Sequence, residues 1–287
     1  MYKLKNFDQR SKGIIFAGCS FTWGQGLNYY SNLDTIIEPL PDQFVQKDLT
    51  YSHIEYIKSH RYPRLVANYF NSFELVQLQN GGSNQSTINY FETLLTNQNI
   101  HQSVDNFGLD TRPVNVSEIS YIVFQITQWW RDEVLLPFNK VKIKFSFQDT
   151  MFNQNAKNTL QNYMKISNKS LEQVLYELKL SSITDVKTWL KKYEEQGVKV
   201  LILIWPNDYK DVIENDDWII DRLVAIDYKE QKYTNIEDLM NHNKGLTINN
   251  DFEHFDICPQ DHHPSIKCHQ ILADSIISRI KQDEQRI

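Results

Sequence analysis

Four short apolar runs constrain this chain more than any other feature: residues 13–18 (GIIFAG), Phe73 to Leu78, Ile119 to Ile126 (ISYIVFQI) and Val198 to Trp205 (VKVLILIW). Their hydrophobicity is continuous, not alternating, which demands burial on both faces. That is the condition of a strand in a parallel sheet covered by helices. A weaker fifth run spans Arg222 to Asp227 (RLVAID).

Between the runs, apolar residues recur at helical spacing. The pattern predicts helices over 62–70, where Pro63 marks a start, and over Thr87 to Thr96, Lys157 to Leu178, Ile183 to Gln196 and Ser265 to Ile280. Gly197 reads as a helix C-cap just ahead of the fourth run. Strands alternating with helices call for parallel pairing through right-handed crossovers. The expected architecture is a three-layer α/β/α sandwich with a flavodoxin-like parallel sheet, binding its ligand at the carboxyl ends of the strands. Two stretches break the rhythm, residues 28–60 and about 127–180, and are expected to be cap insertions over that edge. No internal repeat or low-complexity linker divides residues 1–287, so one domain is expected.

The hydrophobic fraction of 41% and charged fraction of 23% are ordinary for a globular chain. A net charge of −6 argues against a general nucleic-acid binder, which needs a basic face. The apolar stretch Ile14 to Ala17 is too short for a signal-peptide core or a membrane span, so a cytoplasmic protein is expected. Cys19, Cys258 and Cys268 fit neither a disulfide framework nor a paired zinc motif and are expected to be free thiols. No cofactor is expected.

Ser20 follows the first run in Gly18-Cys19-Ser20-Phe21-Thr22, where a turn would present its hydroxyl at the sheet's carboxyl edge. Capping a turn is its plainer role. The segment departs from the G-x-S-x-G elbow, because Thr22 occupies the last glycine's place. Near the other end, Asp261-His262-His263-Pro264-Ser265 directly precedes the last expected helix, so its loop should return to the same edge. A histidine there can take the serine proton, and a nearby carboxylate can orient the imidazole. Two other readings stand beside this one. His254, Asp256, Asp261, His262 and His263 form a loose set of metal-ligand types without a recognised spacing. A non-catalytic carbohydrate- or protein-binding module is the second.

The pairing of an early serine block with a late Asp-x-His block resembles the SGNH (GDSL-like) hydrolase family. The resemblance implies a serine esterase with Ser20 as nucleophile, His263 as base and Asp261 as its orienting carboxylate, with His262 as the runner-up base. Cys19 stands where the family usually has aspartate. The family's second block, a glycine donating to the oxyanion hole, is similar to Asn80-Gly81-Gly82-Ser83-Asn84, which implies Gly82 as donor with Gly81 close behind. The third block, normally Gly-x-Asn-Asp, has no match in Gln125-Ile126-Thr127-Gln128-Trp129-Trp130-Arg131. Asn84, Gln125 and Thr127 are the candidates for the missing donor, Asn84 being favoured, and Arg131 is a candidate for an anionic substrate group. Tyr29, Tyr30, Tyr51, Tyr56, Trp129 and Trp130, interleaved with polar residues in the two insertions, point to a short-chain ester, such as acetyl, on a polar or sugar carrier.

Overall fold

A computed structural model describes residues 10–24, 27, 51–77, 82–96, 102–103, 111–112, 114–138, 141–243 and 263–285. Its central sheet has four parallel strands, β1 (Gly13–Ala17), β2 (Phe73–Val76), β3 (Ile119–Ile126) and β4 (Lys199–Ile204), in the order β2-β1-β3-β4. All four apolar runs are therefore strands of one sheet.

Alternate residues of these strands enter two separate cores, as the two-residue period of a strand requires. On one face Ile15, Ile122, Phe124 and Ile202 meet Phe91 and Leu94 of α3 (Asn84–Thr96) and Val186, Trp189 and Leu190 of α5 (Leu171–Glu194). On the other, Ile14, Phe16, Val123 and Leu201 meet Val66 and Ala67 of α2 (Tyr62–Tyr69) and Leu272 and Ile276 of α7 (Ile266–Gln285). A mixed α/β fold with helices on both faces of a parallel sheet results. None of its helices, among the described residues, is long and apolar enough to cross a membrane.

Three expectations need correction. Lys157 to Leu178 is not one helix: α4 (Gln154–Ser167) ends where Asn168 turns left-handed at φ 53°, and Ser170 opens α5 with a capping box to Gln173. Helix α5 then runs unbroken through the 179–182 gap between the two expected helices. The run from Arg222 divides. Leu223 forms a parallel bridge to Ile202 on β4, while Ile226–Tyr228 pairs antiparallel with Gln231–Tyr233. The second insertion also holds an unexpected antiparallel hairpin, Glu133–Phe138 with Val141–Ser146. Within the first insertion, Tyr51–His60 is helical (α1), and residues 28–50 lie outside the described residues.

Candidate active site

Ser20 begins a single helical turn, Ser20–Trp23, directly beyond β1. The turn closes at Gly24, whose φ of 87° suits glycine and whose amide donates to the Ser20 carbonyl at 3.2 Å. Gly18 is demanded by space: a Cβ there would lie 2.1 Å from Thr22 Oγ1 and 3.0 Å from Gln125 Cβ. Ser20 is 5% exposed.

His263, just ahead of α7, places Nε2 3.0 Å from Ser20 Oγ. The two residues are 243 positions apart in sequence and meet at the carboxyl edge of the sheet. With Nε2 unprotonated, the Ser20 hydroxyl donates to it. The Phe21 ring lies 4.7 Å from the imidazole and stacks at 3.5 Å on Trp205, the residue following β4. Aromatic packing thus holds the imidazole against the hydroxyl. Asp261 and His262 lie outside the described residues, as do His254, Asp256 and Cys258. Cys19 and Cys268 are buried free thiols.

Beneath the serine turn runs a buried polar chain. Tyr62 Oη donates to Thr22 Oγ1 at 3.0 Å, Thr22 Oγ1 donates to Gln125 Oε1 at 2.5 Å, and Gln125 Nε2 donates to Cys19 Sγ at 3.5 Å. Both ends of the Gln125 amide are therefore engaged under the turn. The Tyr62 amide donates to His269 Nδ1 at 3.2 Å, so His269 is neutral. Burial, then the charges of Arg61, His263 and His60, lower the His269 pKa to about 3. Arg61 ties α2 to the same turn by donating to the Trp23 carbonyl and to Glu74 on β2. Burial alone would raise the Glu74 pKa, but Arg61 and Arg64 together bring it below the usual carboxylate value.

On the other side, Asn84 turns into the interior. Its Oδ1 accepts the Thr127 amide at 2.8 Å, and its Nδ2 faces Ser182 Oγ at 2.9 Å, the Thr127 carbonyl at 3.2 Å, and Asp132 Oδ2 and Tyr209 Oη at 3.3 Å. Asp132 is itself held by Ser182 Oγ at 2.5 Å and the Gln85 amide at 2.9 Å, and burial raises its pKa against these bonds. The Asn84 amide fastens α3 to the end of β3. Thr127 Oγ1 is buried and has no hydrogen-bond partner among the described residues. Gly82 is buried in the loop before α3, and no described residue accepts the Ser20 or Gly82 amide. Arg131, in the turn Trp129–Arg131, lies over the Trp130 ring at 5.0 Å. Trp129 is 6% exposed and donates to Asp208, which commits it to packing.

Asp132, Ser182, Tyr209, Phe21 and Trp205 were not singled out from the sequence. Only Trp205 carried a signal, as the last residue of an apolar run whose carboxyl end faces the site.

No family model matches the chain, and no curated protein matches it. Three solved chains do. One is a carbohydrate esterase whose active site displays divergent catalytic and non-catalytic binding functions (12% identity, TM-score 0.43, covering 96% of this chain). Another is an acetyl xylan esterase from the rumen bacterium Butyrivibrio proteoclasticus (13% identity, TM-score 0.47, covering 97%). The chain spans 66% of the length of each.

Proposed function

We propose that this chain is a serine ester hydrolase of the SGNH type. The observation that carries the reading is the 3.0 Å contact between Ser20 Oγ and His263 Nε2, two residues from opposite ends of the chain. The strand order β2-β1-β3-β4, continued by the bridge to Leu223, supports a flavodoxin-like sheet with its site at the carboxyl edge. Residues 28–60 and 127–180 are the insertions that cap this single domain.

In this mechanism His263 removes the Ser20 proton as Oγ attacks the ester carbonyl, and Asp261 orients the imidazole and stabilises its cation. The tetrahedral oxyanion is received by the amides of Ser20 and Gly82, which have no competing acceptor among the described residues. Because Asn84 and Gln125 have their amides engaged elsewhere, the third donor is the Thr127 hydroxyl, buried and without a partner at the end of β3. Protonated His263 then supplies the leaving alcohol with its proton, and water releases the acyl group by the reverse steps. The substrate is a short acyl ester, acetyl above all, on a polar carrier.

Turnover of 4-nitrophenyl acetate and acetylated sugars tests the reading. Ser20→Ala and His263→Ala should each lose activity by several powers of ten while keeping the circular dichroism of the parent. Thr127→Val should lose about a hundredfold. Wild-type rates in Ser20→Ala would refute the mechanism. Ligand binding without turnover in the parent would favour a binding module.

A further inference from the structure

Arg131 has no use in the reaction just described, yet it is placed at some energetic cost. Burial lowers its pKa, and Cys19, the neighbour of Ser20, lies close enough to act on it. Its guanidinium makes no ion pair or side-chain hydrogen bond among the described residues and lies over the Trp130 ring. A partly desolvated cation without an anion marks a place where an anion is to be supplied.

Arg131 lines a cleft of about 330 Å³ at the first turn of α3, together with Ser83, Ser86, Asn89 and Gln148 and the exposed carboxylates Glu133 and Asp149. The cleft is linked to the serine turn through α3, although no residue of that turn lines it. Ser83 follows Gly82, and Thr87 Oγ1, one turn into α3, donates to the Gly18 carbonyl at 3.3 Å. The amides of Gln85 and Ser86 in the first turn of α3 are already engaged, by Asp132 and by Ser83 Oγ. A phosphate would call for a second cation, and the cleft lining includes none. A single planar guanidinium beside hydroxyls and side-chain amides suits one carboxylate gripped by two parallel bonds, while the exposed, solvated carboxylates of Glu133 and Asp149 oppose a more highly charged anion.

We propose that Arg131 binds a carboxylate on the carrier portion of the ester, so that the substrate is an acylated sugar acid or a similar polyhydroxy carboxylate. This rests on the esterase reading above: an acetyl group carries no charge, and the charge therefore belongs to the carrier.

The test compares an acetylated methyl glucuronoside with its neutral 6-carboxamide, which differ in that charge alone. The parent should prefer the carboxylate by about 10- to 100-fold in kcat/KM. Arg131→Gln should abolish the preference through KM, and Arg131→Lys should keep part of it, because lysine retains the charge without the fork. Equal rates on the two esters by the parent, or an undiminished preference in Arg131→Gln, would overturn the proposal. If the parent fails to cleave even 4-nitrophenyl acetate, the esterase reading falls by itself. Tryptophan fluorescence titration with the deacetylated carboxylate and carboxamide then decides for Arg131: selective binding lost in Arg131→Gln supports the role, and equal or absent binding removes it.

Discussion

His269 lies fully buried one layer beneath the serine turn, accepting the Tyr62 amide at Nδ1, while Nε2 has no hydrogen-bond partner among the described residues. Its pKa falls from 6.5 to about 3 on folding, so the unfolded chain binds a proton there more readily than the native one. The stability it contributes is complete above about pH 6.5 and is lost as pH drops toward 3, at about 1.4 kcal/mol per pH unit. Urea unfolding at pH 7 and pH 5 should thus show a loss of about 2 kcal/mol in the parent. In His269→Gln, whose side-chain oxygen can still accept the Tyr62 amide, the loss should be much smaller; equal losses in the two proteins would exclude His269 as the acid-sensitive group. The contact of Ser20 with His263 was legible because each residue stands beside an element boundary. Asp132, Ser182 and Tyr209 were not, because a buried hydrogen-bonded cluster assembled from four segments has no spacing in the sequence.

At the scale of elements, the junction of β1 with the Ser20 turn depends on Gly18. Thr22 Oγ1 cannot yield to a methyl group there without breaking its bonds to Tyr62 and Gln125. Gly18→Ala should cost about 1–3 kcal/mol in urea melts and reduce turnover disproportionately, because the shift is delivered to the turn of the proposed nucleophile, Ser20. A variant of parental stability and rate would show that the turn relaxes freely. The strand β3 was readable to the residue because a run of eight positions, six of them apolar, ends at a polar turn. The α4–α5 break was not: its signal is a short capping sequence, Asn168 to Gln173, inside a region whose apolar period continues on both sides. The hairpin Glu133–Phe138 with Val141–Ser146 was missed because it lies outside the main sheet, one strand carrying Pro137 and the other alternating apolar residues with Lys142, Lys144 and Ser146.

Across the whole molecule, a parallel sheet sends every strand's carboxyl end to one edge, and a residue after β1 can therefore meet one before α7 despite their separation. That architecture was implied by the four continuous apolar runs, and with it the meeting of Ser20 and His263. The detail of the proposed oxyanion site was not implied, since it depends on which amides the interior leaves free. The most direct measurement is the mass of the intact protein after reaction with a fluorophosphonate, which modifies a serine only where a base activates it. The parent should gain one adduct, mapped to Ser20, and Ser20→Ala and His263→Ala should gain none. An unmodified parent, or an adduct that persists in Ser20→Ala, would contradict the assignment of Ser20 as an activated nucleophile.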